Sequence, residues 1–448
     1  MADRMTAREA IAEVSDAFTE FAADDGVRKE NGPIDWPGYD DSRARAAQRT
    51  GEQESVVCGR AELAGRALAL VSFEFGFLGG SLGERTGDRL EAAHRYAREH
   101  RLPVVSLIAT GGSRMQEGMR ALAQLQRVAR ESALTRAAGL PQIAVLRDPA
   151  TGGGWATLGA GADVVLALRG AQVGFAGSRV RPADADPVAY TAESQFSAGH
   201  IDAVVRHGEL RAALALRLAL LTGGAAPGSA PPVAADPPAA LGRSDLPATG
   251  WDAVQRTRAA ERPRAPAYLD AYFAERAPIQ GDRCSGADPG MLCGFGLREG
   301  RTIAYAAQCG TATRPSGYRT AARLIRLAER LRIPVLTLVD TPGAANDAAA
   351  ERAGAGAAIA DLFAAVAECS VPVTTLVIGE GGSGGALALA APDNTWATPD
   401  SYFSVIAPEL AAAILKRDVS EIRSTADDLR LRPQDLVELG VVRGLVSA

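Results

Sequence analysis

One stretch of this chain is written twice, 231 positions apart, and that repeat limits what the chain can fold into. Leu102-Pro103-Val104-Val105 returns as Ile333-Pro334-Val335-Leu336, and Leu140-Pro141 returns as Val371-Pro372. The same shift carries Gly153-Gly154 onto Gly384-Gly385 and Phe175-Ala176 onto Ile406-Ala407. A fixed offset kept over so long a stretch without a gap marks a duplication. Two copies are too few, and each is too long, for a solenoid. The 448 residues suffice for two cores of ordinary domain size. The repeat therefore predicts two homologous domains, each with its own glycine-built site.

Within each copy, apolar runs alternate with helical spacing. Residues 67–77 predict a strand, and 88–100 predict a helix through Leu90, Ala93 and Ala97. Residues 104–109 are a continuous apolar run, as in a sheet covered on both faces. Thr110-Gly111-Gly112 then opens a helix over 115–138, followed by strand 143–146, turn 148–154, helix 155–161 and strand 164–168. The second copy repeats the order: strand 303–307, helix 317–331, strand 335–339, turn Asp340-Thr341-Pro342-Gly343, helix 359–368, strand 373–378 and turn 379–385. Such alternation predicts an α/β fold of right-handed crossover units. Residues 1–54 are polar and predict a helix followed by a loose segment through Asn31-Gly32-Pro33. Residues 222–247 are Gly, Ala and Pro with few charges; that composition cannot bury a core and predicts a linker. The two domains then fall at 55–221 and 248–448.

Several function classes are excluded. The net charge is −5 and no basic stripe is concentrated, which argues against nucleic acid as a partner. Cys58, Cys284, Cys293, Cys309 and Cys369 form no C-x-x-C pair, and their odd number argues against a disulfide framework, so reduced thiols and a cytoplasmic location are expected. The N-terminal residues 1–25 are acidic and lack the apolar centre of a signal peptide. Apolar runs such as 211–221 are interrupted by arginine, which excludes a membrane span. No cluster of Cys, His and carboxylates has metal-ligand spacing, and no metal is expected.

The chemistry-bearing features are the glycine turns at strand ends. In the first copy they are Thr110-Gly111-Gly112-Ser113 and Thr151-Gly152-Gly153-Gly154; in the second, Thr341-Pro342-Gly343-Ala344 and Gly381-Gly382-Ser383-Gly384-Gly385. Glycine lets backbone approach a ligand closely, and a helix start leaves its first N–H groups unpaired and partly positive. Two such ends converging would form an oxyanion hole, worth roughly 3–4 kcal/mol per donor in a transition state. Structural turns and phosphate cradles are the competing readings, but neither copy has the G-x-x-x-x-G-K-[ST] lysine or a well-placed G-x-G-x-x-G. Serine hydrolysis is a third, through Ser113 or Ser383. The four histidines, His94, His100, His200 and His207, all lie in the first copy, and no repeat offers a Ser-His pair.

At these turns the chain resembles the carboxyltransferase of bacterial biotin-dependent acetyl-CoA/acyl-CoA carboxylase, with β-type and α-type subunits fused in that order. The β-like strings are Phe73-Glu74-Phe75 with Gly79-Gly80-Ser81, Gly111-Gly112-Ser113-Arg114-Met115-Gln116-Glu117-Gly118, Asp148-Pro149-Ala150-Thr151-Gly152-Gly153 and Gly174-Phe175-Ala176-Gly177. The α-like strings are Gly317-Tyr318-Arg319, Asp340-Thr341-Pro342-Gly343-Ala344, Ile378-Gly379-Glu380-Gly381-Gly382-Ser383-Gly384-Gly385 and Ser404-Val405-Ile406-Ala407-Pro408-Glu409. The resemblance implies two homologous crotonase/ClpP-like spiral domains, each a ββα superhelix. It implies a homodimer or higher homo-oligomer, with the active site between the first domain of one protomer and the second of another. The first domain would hold the acyl-CoA substrate through Gly111, Gly112 and Ser113, with Gly153 and Gly154 facing the thioester oxygen. The second would hold carboxybiotin through Gly343, Ala344, Gly382 and Ser383, with Gly384 and Gly385 facing the ureido oxygen. The biotin would arrive on a separate carrier protein charged by a separate biotin carboxylase, and its ureido nitrogen would act as the base. The product would be a malonyl-type thioester for fatty acid or polyketide biosynthesis. A valine at Gly154 would then damage thioester turnover while leaving the fold intact.

The sequence departs from the family pattern in three places. The first cysteine is Cys58, so the four-cysteine zinc ribbon expected before it is missing and no zinc is expected. The stretch before Gly317 is only Gln308-Cys309-Gly310-Thr311-Ala312-Thr313-Arg314, where a longer basic segment is usual. Ala345-Asn346-Asp347 stands where Tyr-Pro-Gly is expected. These departures leave two alternatives beside carboxyl transfer: a biotin-independent decarboxylase of a malonyl-type thioester, and a non-catalytic paralogue.

Overall fold

Every residue of strand Val104–Thr110 is buried, and so is every residue of Val335–Thr341, 231 positions later. In the computed structural model, which describes residues 4–22, 29–225 and 228–447, each of these strands is central to its own sheet. The chain divides into two units, 1–222 and 223–448. Residues 1–3 and 23–28 of the N-terminal segment, and 226–227 of the expected linker, lie outside the described residues.

The strands of the first unit are β1 (Ala17–Glu20), β2 (Val56–Leu63), β3 (Arg66–Phe73), β4 (Val104–Thr110), β5 (Gln142–Thr151), β6 (Val164–Leu168), β7 (Val173–Gly174) and β8 (Ala203–Val205). They run in the order β1-β2-β3-β4-β5-β6-β8, with β7 paired to the end of β5. The pair β2–β3 is an antiparallel hairpin, and from β3 onward the pairing is parallel. The second unit has β9 (Glu275–Ile279), β10 (Met291–Arg298), β11 (Arg301–Gln308), β12 (Val335–Thr341), β13 (Val373–Gly382), β14 (Thr395–Ala397), β15 (Tyr402–Ser404) and β16 (Gly444–Leu445). Their order is β16-β14-β13-β12-β11-β10-β9, with β15 paired to the end of β13. Parallel neighbours joined through helices bury both faces of the sheet, which is why β4 and β12 are apolar runs without alternation.

The repeat extends to irregularities. The β4–β5 register slips between Ile108 and Thr110, and the β12–β13 register slips between Val339 and Thr341. Leu82 bridges Ser113, and Thr313 bridges Ala344. Helices Glu84–Glu99 and Pro315–Arg330 also keep the offset of 231 at both ends. Upstream it becomes 235, from β3 at Arg66 to β11 at Arg301. Phe73 is eleven positions before Glu84, whereas Gln308 is seven before Pro315, so the first unit has four extra residues there. Part of that insertion is the short helical turn Leu78–Gly80.

Three expectations are corrected. The predicted turns at 148–154 and 379–385 are largely strand: β5 continues to Thr151 and β13 to Gly382, because β7 and β15 supply partners for their ends. The expected N-terminal helix is present, and the described residues after it are structured rather than loose. Helix Ala7–Val14 is started by a Thr6–Glu9 capping box, β1 pairs antiparallel with β2, and a second helix spans Tyr39–Thr50. The Ala7 N–H donates to Glu74 at 2.7 Å, and Arg147 donates to the Phe73 carbonyl at 3.0 Å. The described part of 222–247 makes no helix or strand, yet it is anchored to the second unit. Thr374 donates to the Ala235 carbonyl at 2.7 Å, Ala240 donates to Ser447 at 3.0 Å, and the Arg243 N–H donates to Asp400 at 2.6 Å. Proline holds this segment extended, and alanines small enough to lie flat, Ala235 and Ala240, are buried.

Candidate active site

In the first unit a threonine shapes each side of the site. The Gly112 N–H donates to the Thr110 hydroxyl at 3.1 Å, and the Thr151 hydroxyl donates to the Thr110 carbonyl at 3.0 Å. Gly111 N–H donates to the Gly79 carbonyl at 2.8 Å, and Leu82 N–H donates to the Gly112 carbonyl at 2.9 Å. These bonds press Gly111-Gly112 against the end of β5. A Cβ on Gly152 would lie 2.7 Å from the Gly112 Cα, and φ there is +65°, so only glycine fits. The helical turn begins at Gly152. The N–H groups of Gly153 and Gly154 therefore fall in its first turn, out of reach of the helix's own carbonyls.

The second unit rebuilds the arrangement around Thr341. The Gly343 N–H donates to the Thr341 hydroxyl at 3.1 Å, and that hydroxyl donates to the Thr311 carbonyl at 2.8 Å. A Cβ on Gly382 would collide with the Pro342 carbonyl, and one on Gly385 would collide with the Ala344 amide. Gly384 differs from all of these, because a Cβ there would meet nothing within 4 Å. Ser383, exposed, stands where the first unit has Gly152 and holds φ at +58°. Thus Gly111, Gly112 and Ser113 lie with Gly152–Gly154 in one unit, and Gly343 and Ala344 lie with Gly382–Gly385 in the other.

Two details change the sequence reading. Only one turn of each pair starts a helix directly. Helix Ser383–Leu387 has five residues, and Gly152–Gly154 runs into the wide turn Trp155–Gly159. A macrodipole needs more turns than this, so these turns present local N–H groups rather than a helix dipole. The expectation that Gly154→Val spares the fold is also corrected: a Cβ there would sit 2.5 Å from Thr110 Cγ2, within the wall of the turn.

Behind the first turn lies a buried ionic network that sequence reasoning missed. Arg114, one residue after Ser113, is fully enclosed and pairs with Glu54 and with Glu117 at 3.3 Å. It also donates to the Ser81 carbonyl at 2.7 Å and to the Tyr39 hydroxyl at 3.2 Å, while Tyr39 donates to Glu117. Burial opposes the charge on Glu54, but Arg114 outweighs it and holds this carboxyl at about 2. In the second unit Arg262 donates to both Asp340 oxygens at 2.9 Å and to the Ile378 carbonyl at 2.9 Å, and the Glu380 N–H donates to Asp340 at 3.1 Å. That pair fixes the ends of β12 and β13. A lone aspartate closing an apolar strand was the available signal.

The structure disfavours serine hydrolysis. His94 is fully buried against Thr135 at 3.0 Å, and burial pushes its pKa down to about 4. His100 meets the Tyr96 carbonyl at 3.0 Å, and His200 meets Gln195 at 2.8 Å. The second unit contains no histidine to activate Ser383. Among the described residues there is also no group of three or more His, Cys, Asp or Glu able to hold a metal. The departure Ala345-Asn346-Asp347 has a local role: Asp347 accepts from the N–H groups of Ala349 and Ala350, both at 2.9 Å, and caps helix Ala348–Arg352.

Residues 33–204 match the carboxyl transferase domain model, and 246–448 match the acetyl co-enzyme A carboxylase carboxyltransferase-like model. The acetyl-coenzyme A carboxylase carboxyl transferase subunits beta/alpha of Saccharopolyspora erythraea are 37% identical over 99% of this chain and 81% of the relative. A probable biotin-dependent acyl-coenzyme A carboxylase beta3 subunit of Mycobacterium bovis is 33% identical over 90% of this chain and 81% of its own length. The crystal structure of transcarboxylase 12S, with methylmalonyl-coenzyme A and methylmalonic acid bound, superposes with a TM-score of 0.81 at 20% identity, covering 99% of this chain and 86% of that one. The fold is thus the expected pair of crotonase-like α/β domains. With strand order, duplicated turns and sequence in agreement, this chain belongs to the carboxyltransferase family of acyl-CoA carboxylases, its β-type and α-type parts fused in one polypeptide.

Proposed function

We propose that the protein moves a carboxyl group from carboxybiotin to the α-carbon of acetyl-CoA or a similar short acyl thioester. The observation that carries this reading is the paired turn in each unit, where glycines bring two backbone segments together at the start of a short helical turn. In the first unit, Gly153 and Gly154 would donate to the thioester oxygen as negative charge builds there, and Gly111, Gly112 and Ser113 would form the facing wall. Each well-placed donor is worth about 3–4 kcal/mol in the transition state.

In the second unit, Gly384 and Gly385 would donate to the ureido oxygen, with Gly343, Ala344, Gly382 and Ser383 around it. A neutral ureido ring suits this cradle: Gly343, Ala344 and residues 382–385 carry no charged side chain, and the missing Cβ of Gly384 leaves room beside the turn. Carboxybiotin, when bound, supplies the carboxyl group and then a ureido nitrogen that takes the α-proton, which accounts for a site without a protein base. We assign the biotin to a separate carrier protein, loaded by a separate biotin carboxylase.

Apolar side chains beside both turn pairs support assembly. Met115 is 77% exposed and Met119 72% exposed just after Ser113, and Leu387 is 47% exposed just after Gly385. Side chains of this kind favour cover by another surface, here that of a second protomer in a homodimer or larger homo-oligomer. Among the described residues no helix is long and apolar enough to cross a membrane, and we place the protein in the cytoplasm. The test is reconstitution: with a biotin carboxylase, biotinylated carrier, ATP, bicarbonate and acetyl-CoA, the protein should form malonyl-CoA. No carboxylated thioester across a series of short acyl-CoAs would contradict the proposal.

A further inference from the structure

We propose that Tyr318 and Gln308 are positioning residues for the second half of the site, a reading that rests on the carboxybiotin assignment above. Helix Ser383–Leu387 ends almost as soon as it begins. The Ala388 N–H donates to the Gly384 carbonyl at 3.0 Å, and the Leu389 N–H turns to Ala386 at 3.2 Å. The Gly385 carbonyl thereby loses the backbone partner that a longer helix would provide, and a buried carbonyl needs another. It accepts from the Tyr318 hydroxyl at 3.1 Å and from Gln308 Nε2 at 3.2 Å. Both side chains are fully buried.

The clamp joins the two turns of the site. Gln308 Nε2 also donates to the Thr313 hydroxyl at 3.1 Å, and the Thr313 N–H donates to the Gly343 carbonyl at 3.1 Å. One amide therefore spans from the Gly385 carbonyl to the loop residue that bridges Ala344 and bonds Gly343. The Tyr318 hydroxyl fills the other side, 2.6 Å from where a Cβ on Gly385 would sit. Held from both directions, Gly385 keeps one backbone orientation, and with it the direction of the neighbouring N–H groups.

The first unit has no counterpart of the clamp. The residue 231 positions before Tyr318 is Gly87, where a Cβ would collide with Gln124, and the hairpin position equivalent to Gln308 is Phe73. There the turn after Gly154 continues directly into Trp155–Gly159. The first unit therefore makes its glycine turn with neither group, and the clamp accompanies the short helix of the second unit.

The test uses full-length protein and the exchange of carboxylate from malonyl-CoA to free biotin. Tyr318→Phe removes the hydroxyl and leaves the ring in place, and Gln308→Met is a second variant of similar size. Each should lower kcat for biotin-dependent exchange about tenfold, as expected for losing one bond to a buried carbonyl at a catalytic turn. The KM for malonyl-CoA should be unchanged, because the first unit is untouched. Wild-type kcat in both variants, with only a lowered Tm, would overturn the positioning role. Failure of the wild-type protein to show any biotin-dependent exchange would instead overturn the functional reading and this inference with it.

Discussion

Arg114 and Glu54, sixty positions apart, form a fully enclosed ion pair directly behind the Gly111-Gly112-Ser113 turn. Glu117 completes the network by accepting from Tyr39 and from the Glu84 N–H at 2.5 Å. The N-terminal segment thus reaches the Gly111-Gly112-Ser113 turn through a chain of buried charges. Removing one member of such a pair leaves an unpaired charge in the interior, which costs far more than a surface bridge.

Glu54→Gln should therefore destabilise the first unit by about 3–5 kcal/mol at neutral pH, read as a lowered denaturant midpoint. The pH dependence has a defined sign. The folded Glu54 carboxyl is held at about 2 against an ordinary 4.5, so its stabilisation is present above 4.5 and is lost as pH falls towards 2. Buried His94, pushed from 6.5 down to about 4 by desolvation and then Arg98, adds an earlier loss beginning as pH falls below 6.5. Thermal scans from pH 7 to pH 2 should show Tm declining through both windows, and Glu54→Gln should remove the lower one. The same acid profile in variant and wild type would assign the lower window to other groups.

Ser383 carries a left-handed backbone that its counterpart Gly152 adopts without penalty. Non-glycine residues pay of order 1–3 kcal/mol for that conformation. Ser383→Gly should therefore raise stability by up to about 1 kcal/mol and keep carboxyl exchange near wild-type rate, since the backbone N–H is retained. Loss of activity in a well-folded Ser383→Gly protein would instead implicate the hydroxyl in the chemistry.

Gly384→Ala separates the site from the fold most cleanly. An added methyl meets nothing within 4 Å, so the thermal midpoint should stay within about a degree of wild type. The methyl would occupy the face assigned to the ureido oxygen, and biotin-dependent exchange should fall on the order of a hundredfold. Gly385→Ala, by contrast, collides with the Ala344 amide and should lose stability as well. Unchanged exchange in Gly384→Ala would remove this glycine from the site.

Much of this architecture was legible because it is local. A strand, its glycine turn and the following helix are contiguous, and their offset of 231 survives in the bulges and in the bridges of Ser113 and Ala344. What escaped depends on distant partners. The last residues of β5 are strand only because Val173–Gly174, itself too short to leave a periodic signal, pairs with them. Glu54 closes a polar segment with no apolar spacing, and nothing in that segment points to Arg114. The Ala- and Pro-rich stretch after residue 222 reads as linker because its anchors, Thr374, Asp400 and Ser447, lie far along the chain. Tyr318 was visible only as a motif, and its contact with the Gly385 carbonyl required the fold.

The most direct test of the central claim is the rate at which purified protein consumes malonyl-CoA with and without free biotin. Two complementary half-sites predict strong stimulation by biotin, with carboxybiotin and acetyl-CoA formed in equal amounts. Conversion of malonyl-CoA to acetyl-CoA and CO2 at the same rate without biotin would contradict it, leaving the first half-site to act alone as a decarboxylase.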